Sequence, residues 1–90
     1  PTMIDAVTDE LKLALKQMIV EECDKDFGPE FIRDDMPLLG GDLDLDSLDV
    51  LQICMAVKNQ YDVRIEGSGD ARKALKSINV LAQTIVDARR

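Results

Sequence analysis

Histidine and tryptophan are absent from this chain, and its aromatic side chains are limited to Phe27, Phe31 and Tyr61. Without histidine, the Ser-His pair that activates many catalytic nucleophiles cannot form within the chain. The segment LDSLD around Ser47 also differs from the GxSxG turn of serine hydrolases. We therefore expect no enzymatic activity. The scarcity of aromatic residues also argues against a base-stacking surface for nucleic acid.

Cysteine and long apolar runs are equally scarce. Cys23 and Cys54 lie far apart without CxxC spacing, which excludes a disulfide-rich secreted domain and a zinc finger. Cys54 falls in an apolar run and is predicted to be a small core residue. No apolar stretch reaches the roughly 18 residues of a membrane span, and no signal peptide is visible. We therefore expect a cytoplasmic protein.

Basic residues are few: the chain has 11 basic and 18 acidic residues, which give a net charge of −7. Binding to nucleic acid or to an anionic membrane surface needs clustered lysine and arginine, so we expect neither kind of binding. The excess of acidic residues instead favours protein partners that carry basic patches.

Apolar spacing predicts helices and no clear strand. Apolar residues at three- and four-residue steps predict a first helix from near residue 4 to near residue 22, capped by Thr2 or Asp5. A second helix is predicted from Ser47 to Tyr61, with Asp46 or Ser47 as its N-cap. Its apolar stripe is broad, so we expect it to be buried over much of its circumference.

Two further helices are predicted after a connector at residues 62–69. Asp70 is expected to cap a short helix over Ala71 to Lys76, and Asn79 to cap the last helix. The apolar face of that last helix is predicted to contain Val80, Leu81, Thr84, Ile85 and Ala88.

A long connector is predicted between the first two helices, with a short helical turn around Glu30 to Asp34. Isolated apolar residues are expected to hold it on the core: Phe27, Phe31, Ile32, Met36, Leu38 and Leu39. The fold class is therefore all-α, a small bundle of three main helices plus one short helix, forming a single domain over residues 1–90.

The segment GGDLDLDSLDV allows three interpretations of Ser47. Asp42, Asp44 and Asp46 match the first three ligands of an EF-hand loop. The turn glycine and the bidentate glutamate are replaced by Ser47 and Ile53, so no tight calcium site is expected. A catalytic nucleophile at Ser47 would lack a histidine base, because the chain contains no histidine. The remaining interpretation is an attachment point at a helix start, and an ordinary serine without further role stays open beside it.

The segment LDLDSLDVLQICMAVKNQYDVRI resembles the modification segment of acyl carrier proteins. In that family an Asp-Ser-Leu triplet opens the second helix, which ends near an aromatic-Asp pair. The corresponding residues here are Asp46-Ser47-Leu48 and Tyr61-Asp62. The order of elements, the acidity and the length extend the resemblance to the whole chain.

The resemblance implies a freestanding carrier, expected to be monomeric, in which a phosphopantetheinyl transferase attaches 4'-phosphopantetheine from coenzyme A to Ser47. The thiol of that arm would carry acyl groups as thioesters in a fatty-acid-like or specialised lipid or polyketide pathway. Expected partners are a ketosynthase, an acyltransferase or acyl-activating enzymes with basic docking patches. The positions that match partner-recognition residues are Asp46, Leu48, Asp49 and Val50. Those that match the acyl-chain pocket are Ile53, Val57 and Ile65.

Two departures from the family pattern widen the possible functions. Glutamates usual on the second helix of fatty-acid carriers are replaced here by Gln52, Lys58, Asn59 and Gln60, which favours a specialised pathway. Gly40-Gly41 is similar to the glycine pair of peptidyl carrier domains, so an aminoacyl or peptidyl cargo is an alternative. An unmodified protein-interaction subunit is a third possibility.

Overall fold

The structure is a computed structural model that describes residues 6–41, 43, 45–65 and 67–89. In this part of the chain the regular elements are helices α1 to α4 and a 3-10 turn at Pro29–Phe31. The four helices are α1 (Asp9–Glu22), α2 (Ser47–Tyr61), α3 (Gly67–Ala74) and α4 (Ile78–Arg89). No strand occurs in these ranges, where Leu39 and Leu45 form an isolated parallel bridge. The predicted all-α bundle is confirmed. None of the described helices has the length and apolarity that crossing a bilayer requires.

Helix α1 begins later than the apolar spacing predicted. The hydroxyl of Thr8 accepts a hydrogen bond from the Leu11 N–H at 3.1 Å, so Thr8 is the N-cap and Asp9 the first helical residue. The predicted caps Thr2 and Asp5 lie outside the described residues. Apolar spacing cannot locate a helix start, because the spacing continues through residues that precede the cap.

Helix α1 ends at Glu22, as the sequence predicted, and its end is a Schellman motif. Asp24 adopts the left-handed conformation with φ 51°, and the Lys25 N–H donates to the Val20 carbonyl at 3.1 Å. The chain thus reverses immediately after α1, which brings Lys25 back toward the start of α2.

The core forms where α1 packs against α2 and α4. Its fully enclosed side chains from these helices include Leu15, Ile19, Ile53, Val57, Leu81 and Ile85. The long connector contributes Ile32, Met36 and Leu38, as predicted, together with Leu43 and Leu45. Its helical turn lies at Pro29–Phe31, earlier than predicted. The prediction that Phe31 holds the connector on the core is wrong, because Phe31 is exposed and contacts Phe27 in a tilted ring pair with centroids 4.8 Å apart.

The prediction that α2 is buried over much of its circumference is wrong. Its buried residues are Ile53, Ala56 and Val57, on one side of the helix. Three large apolar residues point to solvent on the other side: Leu48 is 62% exposed, Leu51 54% and Met55 53%. We call these three residues the exposed face of α2.

The predicted caps of the last two helices are also wrong. Helix α3 begins at Gly67, so Asp70 lies within its first turn. In α4 the Ser77 hydroxyl accepts from the Val80 N–H at 3.2 Å, so Ser77 rather than Asn79 is the cap. The buried face of α4 consists of Ile78, Leu81, Ala82, Ile85 and Val86. Val80 and Ala88, predicted for that face, are exposed.

Candidate functional site

Ser47 is the first residue of α2, and its side chain is exposed. The preceding residue, Asp46, is the N-cap: its Oδ1 accepts from the Asp49 N–H at 2.9 Å. Asp49 completes a capping box, because its Oδ2 accepts from the Asp46 N–H at 3.1 Å. Since the two aspartates provide the cap, the hydroxyl of Ser47 is not needed for starting the helix. It is therefore available for chemistry.

Lys25, placed by the Schellman turn of α1, ties that turn to the start of α2. Its Nζ lies 3.2 Å from Asp49 Oδ2, and this hydrogen bond raises the pKa of Lys25. The Cys23 thiol donates to the Asp49 carbonyl at 3.8 Å. Burial, with a smaller contribution from Asp49, raises the pKa of Cys23 to about 11, so this thiol stays protonated at neutral pH. These contacts hold the α2 start in a defined position.

A cavity of about 440 Å³ opens beside Ser47, and we call it the Ser47 cavity. It lies between the connector, the first turn of α2 and one side of α3. Its lining residues are Leu39, Leu45, Asp46, Ser47, Val50, Ala71 and Arg72. The bridge between Leu39 and Leu45 builds one wall. Gly40, with φ +69°, allows the turn that brings these two leucines together.

A second cavity of about 440 Å³ lies further along α2, and we call it the Cys54 cavity. It is lined by Leu51, Cys54, Met55, Lys58, Asn59, Arg64 and Ile65. Cys54, predicted as a core residue, is only half-buried, and burial raises the pKa of its thiol. Lys58 on the rim is paired with Asp62 at 2.7 Å.

The residues predicted for partner recognition divide into two exposed and two half-buried side chains. Asp46 and Leu48 are exposed beside Ser47. Asp49 is half-buried and paired with Lys25, and Val50 is half-buried in the Ser47 cavity wall. Asp49 therefore presents less charge to a partner than its place in the sequence suggested.

The residues predicted for an acyl-chain pocket are not all placed at a cavity. Ile53 and Val57 are completely enclosed in the core. Ile65 is half-buried and lines the Cys54 cavity. Their role in holding cargo stays a prediction. The residues Leu51, Met55, Ala71 and Arg72 border the two cavities and were not predicted as site residues. Helical spacing from Ser47 was a usable signal for Leu51 and Met55, but not for the two residues of α3.

No group of three or more acidic, cysteine or histidine side chains suited to a metal ion is found in the described residues. Two of the three aspartates in the EF-hand comparison, Asp42 and Asp44, lie outside them. The expected lack of a tight calcium site therefore stays a prediction.

No protein-family model, curated protein or solved structure matches this chain.

Proposed function

We propose that this chain is an acyl carrier protein on which Ser47 bears a phosphopantetheine arm. The observation that carries the proposal is the geometry at the start of α2. There an exposed serine hydroxyl is not used by the cap, follows an acidic cap residue, and borders a cavity. The resemblance of LDLDSLDVLQICMAVKNQYDVRI to the modification segment of acyl carrier proteins supplies the identity of the group.

The modification is a phosphoryl transfer catalysed by a separate transferase. Ser47 Oγ attacks the pantetheine-side phosphorus of the coenzyme A pyrophosphate, and the bond from that phosphorus to adenosine bisphosphate breaks. The hydroxyl proton passes to a base of the transferase, and a phosphodiester is formed on Ser47. Asp46 uses one carboxylate oxygen for the cap, and in the described part of the chain no partner contacts the other. That second oxygen is proposed to assist the transferase's magnesium ion.

When bound, the arm supplies a thiol that forms thioesters with acyl groups. Because the Ser47 side chain is exposed and lines the Ser47 cavity, an arm attached to it would lie outside the core. Ile65 and the apolar lining of the Cys54 cavity are the side chains offered to an acyl chain, whereas Ile53 and Val57 are enclosed in the core. A cargo that enters the core would have to separate those two residues from their neighbours.

The exposed face of α2 is the proposed docking surface for partner enzymes. Leu48, Leu51 and Met55 give it an apolar centre. Asp46 gives it an exposed acidic side chain at its start, whereas Gln52 and Asn59 further along are neutral and Asp62 after the helix end is paired with Lys58. A ketosynthase, acyltransferase or acyl-activating enzyme of a specialised lipid or polyketide pathway fits this surface better than one that needs a long acidic stripe.

The direct test is incubation with coenzyme A, magnesium and a broad-specificity phosphopantetheinyl transferase, followed by intact-mass measurement. One phosphopantetheinyl addition is expected for the wild-type protein and none for Ser47→Ala, whose fold is checked by circular dichroism. If the wild-type mass does not change, the chain is not a carrier, and an unmodified interaction subunit becomes the better proposal. Loading of the modified protein with acyl and aminoacyl donors then distinguishes the two classes of cargo.

A further inference from the structure

Arg72 brings a positive charge to the Ser47 cavity from α3. It lines the same cavity as Ser47 although the two residues are far apart in sequence. We propose that Arg72 binds the phosphate that joins the pantetheine arm to Ser47. The Ser47 cavity then acts as a phosphodiester-binding site with α3 as its cationic side. This inference rests on the proposed function.

The guanidinium of Arg72 has no competing partner in the part of the chain that the structure describes. No ion pair or side-chain hydrogen bond involves it there, whereas Lys25 is paired with Asp49 and Lys58 with Asp62. A planar guanidinium matches the oxygens of a phosphate group with two parallel hydrogen bonds. Arg72 is thus a cation that lines the same cavity as Ser47 and has no ion pair in the described part of the chain.

The charges around Ser47 make such a cation useful. A phosphodiester on Ser47 Oγ would lie beside the carboxylate of Asp46, which lines the same cavity and repels it. The N–H groups of Ser47 and Leu48, in the first turn of α2, attract the phosphate, because they have no acceptor within the helix. Arg72 lines the same cavity, adds a full positive charge there and offsets Asp46.

The packing of α3 is compatible with binding of the phosphate by Arg72. Helix α3 packs mainly against α4, with Ala71 and Ala74 buried. Its eight residues include Gly67 and Gly69, which lower its intrinsic helix stability. A bond between Arg72 and the phosphate would therefore connect α3 to the start of α2 and stabilise both elements in the modified protein.

The test compares unmodified and modified protein for four chains: wild type, Arg72→Gln, Arg72→Lys and Lys73→Gln. Lys73 is the matched control, because it is the next residue in α3 but lines a different cavity together with Arg64 and Ile65. Modification is verified by intact mass, and thermal midpoints are measured at low and high salt. We expect attachment to raise the midpoint of wild type and Lys73→Gln equally at low salt, by roughly 2–5 °C. Arg72→Gln should lose this gain, and Arg72→Lys should keep part of it.

A second measurement does not depend on any variant. Nitrogen-15 NMR of the wild-type arginine side chains should show the Arg72 Nε–H signal shifting on attachment, with smaller changes at Arg33. Equal thermal gains for Arg72→Gln and Lys73→Gln, or an unmoved Arg72 signal, would overturn the role of Arg72 while Ser47 is still modified. Failure of Ser47 to be modified at all would overturn both this inference and the proposed function.

Discussion

At the scale of single residues, Asp46 combines a structural and a proposed chemical task. The first N–H groups of α2 need an acceptor, and Asp46 provides it through Oδ1. A transferase acting on Ser47 would need an acidic side chain next to the hydroxyl, and the same carboxylate is the one available. The two tasks use different properties of Asp46, its oxygen acceptor and its charge, so they can be separated by substitution.

Asp46→Ala removes the acceptor and should lower the free energy of unfolding by about 1 kcal/mol. Asp46→Asn keeps an amide oxygen as acceptor and loses only the charge at the positive end of α2, at a cost of about 0.5 kcal/mol. Urea denaturation measures both. The rate of phosphopantetheine attachment should fall in both variants, since each lacks the charge. Equal losses of stability would show that the acceptor of Asp46 does not matter.

The cap at the start of α2 could be predicted from the sequence, because capping is local. Asp46 and Ser47 are adjacent, and their residue types indicate a helix start. The Ser47 cavity could not be predicted in this way. Leu39 reaches it through the turn at Gly40, and Arg72 reaches it through the packing of α3 on α4. Neither placement can be predicted from the residue spacing around Ser47.

At the scale of elements, α2 has two apolar faces, one buried in the core and one exposed. Ile53 belongs to the buried face and is completely enclosed, whereas Leu51 belongs to the exposed face. The sequence shows apolar residues on both faces and does not distinguish the buried face from the exposed one, so burial over much of the helix was predicted. The boundaries of α2 were predicted correctly, because no glycine or proline interrupts it and Asp46 marks its start.

Two substitutions of the same kind should separate these faces. Ile53→Ala should lower the free energy of unfolding by about 2–5 kcal/mol, because it leaves a cavity in the core. Leu51→Ala should change it by about 0.5 kcal/mol or less. In a carrier assay with a cognate partner enzyme, Leu51→Ala should nevertheless slow turnover. A large loss of stability in Leu51→Ala, measured by urea denaturation, would contradict the assignment of this face to partners.

The start of α3 shows where local sequence signals fail. Gly67-Ser68-Gly69 reads as the end of a connector, since glycine disfavours helices. The helix nevertheless begins at Gly67, and its following residues Ala71 and Ala74 are buried. Tertiary packing of these small residues outweighs the weak helix preference of the glycines.

At the scale of the whole molecule, Asp34 joins three parts of the bundle. Its carboxylate contacts Lys16 at 2.6 Å and Lys12 at 3.2 Å on α1, and its backbone carbonyl accepts from the Asn79 N–H in α4 at 3.0 Å. The hydrogen bond from Lys16, with help from Lys12, lowers the pKa of Asp34 from its ordinary value of 3.8. The long connector is thereby attached to two helices at once.

This arrangement predicts a pH dependence. Because the folded pKa of Asp34 is depressed, its contribution to stability is present at neutral pH and is lost as the pH falls below 3.8 through the folded value. Asp34→Asn should cost less than about 1 kcal/mol at pH 7, since the pair is partly exposed. Between pH 5 and pH 2.5, the free energy of unfolding of Asp34→Asn should fall less than that of the wild-type protein. The difference should be roughly equal to the cost of the substitution at pH 7. The control is Asp35→Asn, an exposed neighbour without an ion pair in the described residues. An identical acid response in both variants would contradict this role of Asp34.

The distribution of charge over the whole molecule predicts which partner enzymes turn over efficiently with this protein. The net charge is −7, but the exposed face of α2 has neutral Gln52 and Asn59 beside Met55. Gln52→Glu with Asn59→Glu should raise turnover by a fatty-acid ketosynthase several-fold at low salt, mainly through faster association. The gain should vanish near about 0.5 M salt. Lys58 is left unchanged because it is paired with Asp62.

The matched control for that prediction is Gln17→Glu with Asn79→Glu. It adds the same two negative charges at exposed positions of α1 and α4. Ketosynthase turnover is measured for both modified double variants over a salt series. If the control improves turnover as much as the α2 variant does, net charge rather than the α2 surface governs the association.

The location of the arm tests the central claim most directly. The protein is coexpressed with a phosphopantetheinyl transferase, purified and fragmented by tandem mass spectrometry, so that any added mass is assigned to a residue. We predict a single phosphopantetheinyl group on Ser47. Its mass should be found on fragments that contain Ser47 and on no other fragment. An unmodified chain, or an added group on any other residue, would contradict the proposal that Ser47 makes this chain a carrier.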